Sequence, residues 1–217
     1  MKIPIPITVT YIDIHTHKPE MQTGELTILN VSLSEAGKVL SLSENRLFSL
    51  GIHPWNADNI FENDTEQLKL WVASKWVRLV GECGLDKLAK AGYDIQLHYF
   101  KKQIELSEQF QKPLIVHCVG YYNELFDLRM QLKPAQKWII HGFRGKPQLA
   151  EQALKAGCDL SFGEHFNAES VEITPTDRLY VETDESSLPI AEIYHRIAQI
   201  KGCEADQLTA GAKLLNC

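Results

Sequence analysis

Short apolar runs rich in β-branched residues recur along the chain, and most are followed by a polar or glycine-containing stretch. They predict strands at residues 11–16, 26–31, 47–52, 77–82, 113–117, 137–141, 158–162 and 179–183. Several runs are apolar almost throughout, which is typical of parallel strands covered on both faces. Helical patterns occur at residues 64–75, 95–111, 146–156, 190–201 and 204–215.

Strands alternating with helices over 217 residues predict an α/β fold, a (β/α)8 TIM-type barrel. A doubly wound open sheet has the same alternation and is the alternative. Only residues 18–25 separate the first two strands, fewer than the roughly 10–12 that a helical crossover needs. We therefore expect a trimmed barrel, with a short first crossover and a short C-terminal region, as a single domain over residues 1–217.

The formal net charge of −6 argues against a broadly basic surface that binds nucleic acid through its own potential. Contact with phosphate would then have to be local or made through metal ions. No apolar run approaches the ~20 residues of a membrane span, and the first residues lack the pattern of a secretory leader. The five cysteines contain no CxxC pair, which favours reduced thiols. We expect a soluble cytoplasmic protein with no membrane partner.

His15 and His17 lie two positions apart at the end of the first predicted strand. Residues i and i+2 of a strand point to the same face, so both imidazoles would project into one site. Imidazole suits zinc, manganese, iron or cobalt better than magnesium. By itself the pair also fits two unrelated histidines near a strand end.

Other metal-capable side chains stand at the ends of later predicted strands: Glu82, His117, His141 and Asp184. In a parallel barrel the C-terminal strand ends converge on one face. The six residues together give enough ligands for two divalent ions with open water positions, and Glu82 could bridge the ions. Burying Glu82 without cations nearby would be costly, which favours the metal site over a structural role.

The order of motifs resembles the TatD family of metal-dependent hydrolases. These motifs are IDIHTH, GIHP, GECGLD, a Q-x3-F-x2-Q pattern followed by KPLIVHC, IIHGF-x-G and DRLYVETD, and they run from Asp13 to Asp184. The resemblance implies a TIM-type barrel with two divalent ions and hydrolase activity, commonly that of a deoxyribonuclease. It also implies two ligand sets, His15, His17, Glu82 and Asp184 for one ion and Glu82, His117 and His141 for the other.

The chain departs from the family pattern in its substrate-binding loops. Family members usually carry an arginine two residues after the histidine of the fifth strand, where this chain has Val119. After the ETD motif the chain continues with ESSLPI instead of a longer segment with an RNEP-like motif. The metal ligands are therefore expected to be intact, while the loops that bind substrate are reduced.

The mechanism expected from these residues is phosphoester hydrolysis by a metal-activated water. Asp184 would accept the proton of the water, with Glu82 between the ions. His53, assisted by Arg144, would hold the phosphate oxygens that are not attacked. Trp55 would stack on a base or pack on the barrel rim, and Asp86 would orient a ligand or cap a loop. Strand ends or single-stranded DNA, or a small phosphoester, are the expected substrates, and Zn, Mn or Mg the expected ions.

Three alternatives remain open from the sequence. One is an amidohydrolase-like enzyme that cleaves a C–N or carboxylic ester bond. The second is a metal-binding barrel that has lost catalysis together with its substrate loops. The third is an α/β binding module whose histidines bind no metal. No G-x-G-x-x-G, P-loop or G-x-S-x-G motif occurs, so nucleotide-cofactor and serine-nucleophile chemistry have no support.

Overall fold

The computed structural model describes residues 11–19, 24–42 and 46–216, and within them eight parallel strands pair with one another in chain order. The strands are β1 Tyr11–Thr16, β2 Glu25–Ser32, β3 Leu47–Gly51, β4 Val77–Asp86, β5 Leu114–Val119, β6 Trp138–Ile140, β7 Asp159–Phe162 and β8 Leu179–Val181. A parallel bridge between Thr16 and Asp184 joins the first strand to the residues that follow the last. The sheet thus closes into the predicted (β/α)8 barrel.

Helices cover the outside of the strands: α1 Leu33–Leu42, α2 Glu62–Val72, α3 Tyr93–Phe110, α4 Tyr122–Leu132, α5 Pro147–Lys155, α6 Ala168–Ile173, α7 Ile190–Lys201 and α8 Ala210–Lys213. The prediction of one helix over residues 204–215 was wrong. That stretch consists of a 3-10 turn at Ala205–Gln207, the short α8 and a second turn at Leu214–Asn216. Leu208 breaks it, because its backbone leaves the helical region with φ −82° and ψ 73°.

The connection between β1 and β2 is short, as predicted. Asp13 pairs with Thr27 in parallel register, so the chain returns to the same end of the barrel within residues 17–24. Residues 20–23 lie outside the described part of the chain, and the described residues of this connection form no helix. β4 extends to Asp86, four residues further than predicted, so Glu82 lies inside this strand rather than at its end.

Two apolar clusters form the core. The larger one lies between the strands and the helices and includes Phe48, Phe100 and Trp138. The smaller one packs strand residues such as Ile14 and Leu79 against Leu214 of the C-terminal segment. Arg78 at the start of β4 also donates to the carbonyl oxygens of the residue pair 214–215, so this segment closes the barrel end opposite to the site.

All eight strands belong to one sheet. The single domain over residues 1–217 stays a prediction, because the described ranges leave out residues 1–10, 20–23, 43–45 and 217. Within those ranges, every helix is too short or too polar to cross a membrane.

Candidate metal centre

Imidazoles and carboxylates gather around Glu82 at the C-terminal ends of the strands. His15 belongs to β1 and His17 follows it, His53 follows β3, and His117 belongs to β5. The site also includes His141, which directly follows β6, and Asp184, which lies beyond the end of β8. The structure therefore brings together all six side chains that the sequence singled out as metal ligands, and adds His53 to them.

Glu82 faces three imidazoles with one of its oxygens. Its Oε1 lies 2.9 Å from Nδ1 of His117, 2.9 Å from Nε2 of His141 and 3.1 Å from Nε2 of His53. Ligand atoms about 2.1 Å from an octahedral ion are about 3.0 Å apart. Ligand atoms of His53, Glu82 and His117 lie within 4.8 Å of one another and could hold one divalent ion, while His141 belongs to a different possible group with Glu82 and His15.

The other oxygen of Glu82 faces the histidine pair of β1. Oε2 lies 3.5 Å from Nε2 of His15 and 3.5 Å from Nε2 of His17. Oδ1 of Asp184 lies 3.7 and 3.6 Å from the same two nitrogens. Ligands of a tetrahedral ion at about 2.1 Å are about 3.4 Å apart. Ligand atoms of His15, His17 and Asp184 all lie within 4.8 Å of one another and form a further group that could hold a divalent ion.

Unpartnered buried nitrogens support a metal at this position. Both ring nitrogens of His15 and Nδ1 of His141 are buried and have no hydrogen-bond partner among the described residues. Buried polar atoms in native proteins are nearly always paired, because leaving one unsatisfied is costly. A divalent cation would bind such an imidazole lone pair, and the nitrogen and oxygen donors fit zinc or manganese.

The charges of the cluster are strongly coupled. Burial by itself would raise the pKa of Glu82, but the imidazoles of His141 and His117 hold it well below its usual range. Burial would likewise lower the pKa of His141, and the Glu82 carboxylate raises it well above the ordinary value. Contact with Glu82 also raises the pKa of His17, against the opposite effect of burial. Glu82 is thus an ionised carboxylate in a pocket built to hold positive charge.

Asp86 connects the rim of the site with His117. Its Oδ2 lies 2.9 Å from Nε2 of His117 and accepts a 2.7 Å hydrogen bond from the Trp55 indole. Burial tends to raise the pKa of Asp86, but the Leu88 amide and these two partners lower it. Asp86 has contacts for both roles considered for it: its Oδ1 accepts a 2.7 Å hydrogen bond from the Leu88 amide of the following loop, and its Oδ2 contacts His117, as carboxylates that orient histidine rings do.

Two glutamines of α3 hold the strand ends in place. Gln96 forms a pair of hydrogen bonds with the backbone of Asp86, and Gln103 forms a similar pair with Ile52, next to His53. Both side chains are buried. They are the glutamines of the Q-x3-F-x2-Q pattern, and their seven-residue spacing puts them on one face of the helix.

Glycines of β4 allow this strand to approach β5 closely. A Cβ atom at Gly84 would lie 2.0 Å from the carbonyl oxygen of His117, and one at Gly81 would lie 2.3 Å from that of Ile115. Both glycines also have positive φ angles, 142° and 128° respectively. The GECGLD motif therefore sets the distance between Glu82 and His117, since any side chain at these positions would push the strands apart.

Several supporting residues escaped the sequence analysis. Asp13 accepts hydrogen bonds from the backbone and hydroxyl of Thr183, which ties β1 to the end of β8. Glu182 is fully buried, accepts from the Gly142 amide at 2.5 Å and lies 3.6 Å from Nδ1 of His141. The sequence could have indicated both residues. Asp13 lies two positions before His15, so it shares the strand face of the histidine pair, and Glu182 is the first residue of the ETD motif.

The residues proposed to contact substrate lie in two cavities that meet at Asp184. A cavity of about 520 Å³ is lined by the metal-centre residues and by His53 and Trp55. A neighbouring cavity of about 380 Å³ contains Arg144, which is exposed, together with His165. Asp184 lines both, so His53 and Arg144 approach the centre from different sides.

Comparisons with known proteins agree on one family. The family model of TatD related DNases matches residues 13–209. The chain is 33% identical over 145 residues to an uncharacterized metal-dependent hydrolase, YabD of Bacillus subtilis, covering 63% of this chain and 57% of that protein. It is 24% identical over 221 residues to the 3′-5′ ssDNA/RNA exonuclease TatD of Erwinia amylovora, covering 87% and 85% of the two chains. The crystal structure of YjjV, a TatD homologue of Escherichia coli, shares the fold with a TM-score of 0.79 at 22% identity, over 97% of this chain and 96% of that one.

Proposed function

We propose that this chain, which belongs to the family of TatD related DNases, is a divalent-metal-dependent phosphodiesterase. Its substrates in this proposal are single-stranded nucleic acid or strand ends. The observation that carries the proposal is the position of Glu82, which faces His117 and His141 with one oxygen and His15 and His17 with the other. A carboxylate in this position has one oxygen for each of two ions. The Erwinia relative, an exonuclease on ssDNA and RNA by its name, supports this substrate class.

Two ligand sets share Glu82 in this proposal. The β1 histidines, Glu82 and Asp184 would hold one ion, and Glu82, His117 and His141 would hold the other. Bound ions of this kind polarise a phosphoryl oxygen and bring the pKa of water towards neutrality. The preference for imidazole favours zinc or manganese over magnesium.

Asp184 is the general base in this mechanism. Its Oδ1 faces the β1 histidines, and its side chain keeps 27% exposure towards the cavities. The backbone at Asp184 is held by reciprocal hydrogen bonds with β1, from its amide to the His15 carbonyl and from the His17 amide to its own carbonyl. These bonds hold the backbone of Asp184 beside the β1 histidines, which supports its proposed role as the group that would accept a proton from the attacking water.

His53 and Arg144 bind the phosphate from two sides. The Trp55 amide donates to Nδ1 of His53, and Nε2 faces the centre, 3.1 Å from Oε1 of Glu82. In this proposal Nε2 donates to a phosphoryl oxygen of the substrate and does not bind an ion. Arg144 supplies a positive charge in the neighbouring cavity, whose lining also contains the carboxylates of Glu164, Glu182, Asp184 and Glu185. Trp55 is 59% exposed, which leaves most of its ring open for a base.

The proposal is tested by hydrolysis of a short single-stranded DNA with added Mn²⁺ or Mg²⁺. Wild type is expected to cleave it, Glu82→Ala to lose both bound metal and cleavage, and Asp184→Asn to lose roughly 10²–10⁴-fold in rate as a missing general base. Glu35→Gln is the matched control, because Glu35 lines the same cavity but is exposed and outside the possible ligand groups.

Wild type that binds Mn²⁺ but leaves DNA and RNA intact would overturn the nuclease proposal. A small phosphoester or an amide, as in amidohydrolases, would then be the substrate to test. The acid at position 82 favours a carboxylate bridge over the carbamylated lysine that many amidohydrolases use. The cytoplasmic location stays a prediction, as does the reduced state of the cysteines, four of which are free in the described residues.

A further inference from the structure

A third cavity adjoins the metal centre on the side of α2. It has a volume of about 430 Å³, and we call it the side cavity. It shares Ser32, Gly51 and Asn56 with the 520 Å³ cavity that contains Glu82. The two cavities are therefore continuous, and a ligand with one end at the metal centre can extend into the side cavity.

Part of the lining of the side cavity is apolar. Ile52 is buried, and Leu33 and Ile60 are partly buried in the same lining. Phe61 is 75% exposed at the rim of this cavity, although a phenyl ring of that size is usually packed in the core. Exposed apolar surface that is contiguous with a cleft marks a binding site more often than isolated exposed residues do.

Amide side chains also belong to the lining of the side cavity. Asn56, Asn59 and Gln67 line the cavity, and within the described residues the structure shows no hydrogen bond for the side chains of Asn56 and Gln67. The amide nitrogen of Asn59 donates to Asp58, which leaves its oxygen as an acceptor. A planar ligand with apolar faces and polar edges matches such a lining.

Charge disfavours a phosphate in the side cavity. Asp64 lies in its lining, where its Oδ2 accepts a 2.8 Å hydrogen bond from the Phe61 amide. This carboxylate would repel an anion but not a neutral ring system.

We propose that the side cavity binds a nucleobase of the substrate, stacked on Phe61 and hydrogen-bonded at its edge by the amides of Asn56, Asn59 and Gln67. Stacking on an aromatic ring combined with hydrogen bonds to base edges is the usual way in which proteins bind unpaired bases. The proposal rests on the proposed function in one respect, that the phosphate of the same substrate lies at the metal centre. It requires an unpaired base, so it restricts the substrate to single strands or frayed ends.

A cycle of variants and substrates tests the base site. Single-stranded oligonucleotides with one abasic residue, placed in turn at each of the last three positions, are compared with the intact strand. At one position the abasic residue is expected to lower kcat/KM of wild type by about 5- to 150-fold, the range of one base–aromatic stack. Phe61→Ala is expected to lower kcat/KM for the intact strand by a similar factor, and to cause no further loss with the abasic strand.

Leu70→Ala is the matched control, because Leu70 is a 68% exposed apolar residue of α2 outside the side cavity. It is expected to leave the kinetics of every substrate unchanged. Equal losses for Phe61→Ala on intact and abasic strands would overturn the proposal, as would a wild type that is indifferent to all three abasic positions.

Binding measurements separate this proposal from the hydrolytic one. With Mn²⁺ present, calorimetry compares dAMP with deoxyribose 5-phosphate on wild type and Phe61→Ala. Tighter binding of dAMP that is lost in Phe61→Ala supports the base site even when no oligonucleotide is cleaved. Equal affinities of the two ligands for wild type would overturn the base site, whatever the outcome of the cleavage assay.

Discussion

Nε2 of His117 lies 2.9 Å from Oδ2 of Asp86, while Nδ1 of the same ring lies 2.9 Å from Oε1 of Glu82. The two carboxylates therefore contact opposite nitrogens of one imidazole. When Asp86 accepts the proton of Nε2, the lone pair of Nδ1 points to the metal centre, and the ring cannot turn away from it.

Asp86→Asn is expected to weaken binding of Mn²⁺ by about 10–100-fold, the usual cost of losing a residue that orients a metal-binding histidine. Isothermal titration calorimetry on the metal-free protein measures the change. Asp127→Asn is the control, since Asp127 lies exposed on α4 and its replacement should keep the wild-type affinity. An unchanged affinity in Asp86→Asn would show that His117 needs no such support.

Divalent metal is expected to stabilise the fold through Glu82. At a concentration 100 times its Kd, a ligand that binds only the native state contributes about 2.7 kcal/mol. For a chain of this size that corresponds to a rise in Tm of about 5–10 °C. Differential scanning fluorimetry with and without Mn²⁺ should show the rise in wild type and in Glu35→Gln, but not in Glu82→Gln. An undiminished rise in Glu82→Gln would place the metal elsewhere.

Gly84→Ala is expected to destabilise the protein by at least about 2 kcal/mol, through strain at positive φ and overpacking against β5. The added Cβ would lie 2.0 Å from the His117 carbonyl oxygen. Gly37→Ala should act in the opposite direction, because Gly37 lies inside α1 and its Cβ would meet Trp71 at an ordinary 3.6 Å. A gain of roughly 1 kcal/mol in helix propensity is expected there. Urea unfolding measures both, and equal free energies for wild type and Gly84→Ala would contradict the close-approach argument.

Alkaline pH is expected to destabilise the fold through buried thiols. Burial raises the pKa of Cys158 from 9.0 to about 12. In the unfolded chain the thiol loses its proton near pH 9, while the folded thiol keeps it. The contribution of Cys158 is therefore fully present below pH 9 and is lost as the pH rises from 9 to 12, at up to about 1.4 kcal/mol per pH unit. Burial of Cys118 acts in the same direction, whereas Lys112, with its pKa lowered to about 8, opposes it between pH 8 and 10.5.

Cys158→Ala should flatten this dependence. Urea unfolding followed by circular dichroism at pH 7, 9, 10 and 11 gives the free energy of unfolding at each pH. Val171→Ala is the control, because it truncates a buried apolar side chain and leaves the thiols in place, so it should lower stability equally at every pH. The same slope in Cys158→Ala and wild type would refute the assignment.

The barrel could be predicted from local pattern because buried parallel strands are apolar almost throughout and helices cover them. The strands were found within a few residues of their true ends, except for β4, whose glycines hid its continuation to Asp86. Helices α1, α4 and α6 were not predicted. α6 has only six residues, Ala168–Ile173, too few for helical periodicity to show.

The candidate ligands could be identified from sequence because position along the chain implies position in a parallel barrel. A residue at the C-terminal end of any strand lies on the same face as all the others, so His117 and Asp184 required no knowledge of contacts. Glu82 was found by the same reasoning, although its strand continues to Asp86. The resemblance to a family added the ligand sets. The supporting residues are different, since Gln96 and Gln103 act through hydrogen bonds across the barrel wall that no local pattern describes.

The sequence by itself thus determined the parallel barrel and the end of it at which metal-binding side chains collect, since both follow from the alternation of strands and helices. Only the tertiary structure decided which nitrogen lies near which oxygen, that His53 lies 3.1 Å from Glu82, and that a second cavity with both apolar and amide side chains adjoins the metal centre. Those features depend on distances between strands and loops that are far apart in the chain. Such distances are set by the packing of the whole barrel, as at Gly84 against His117, and a local pattern carries no information about them.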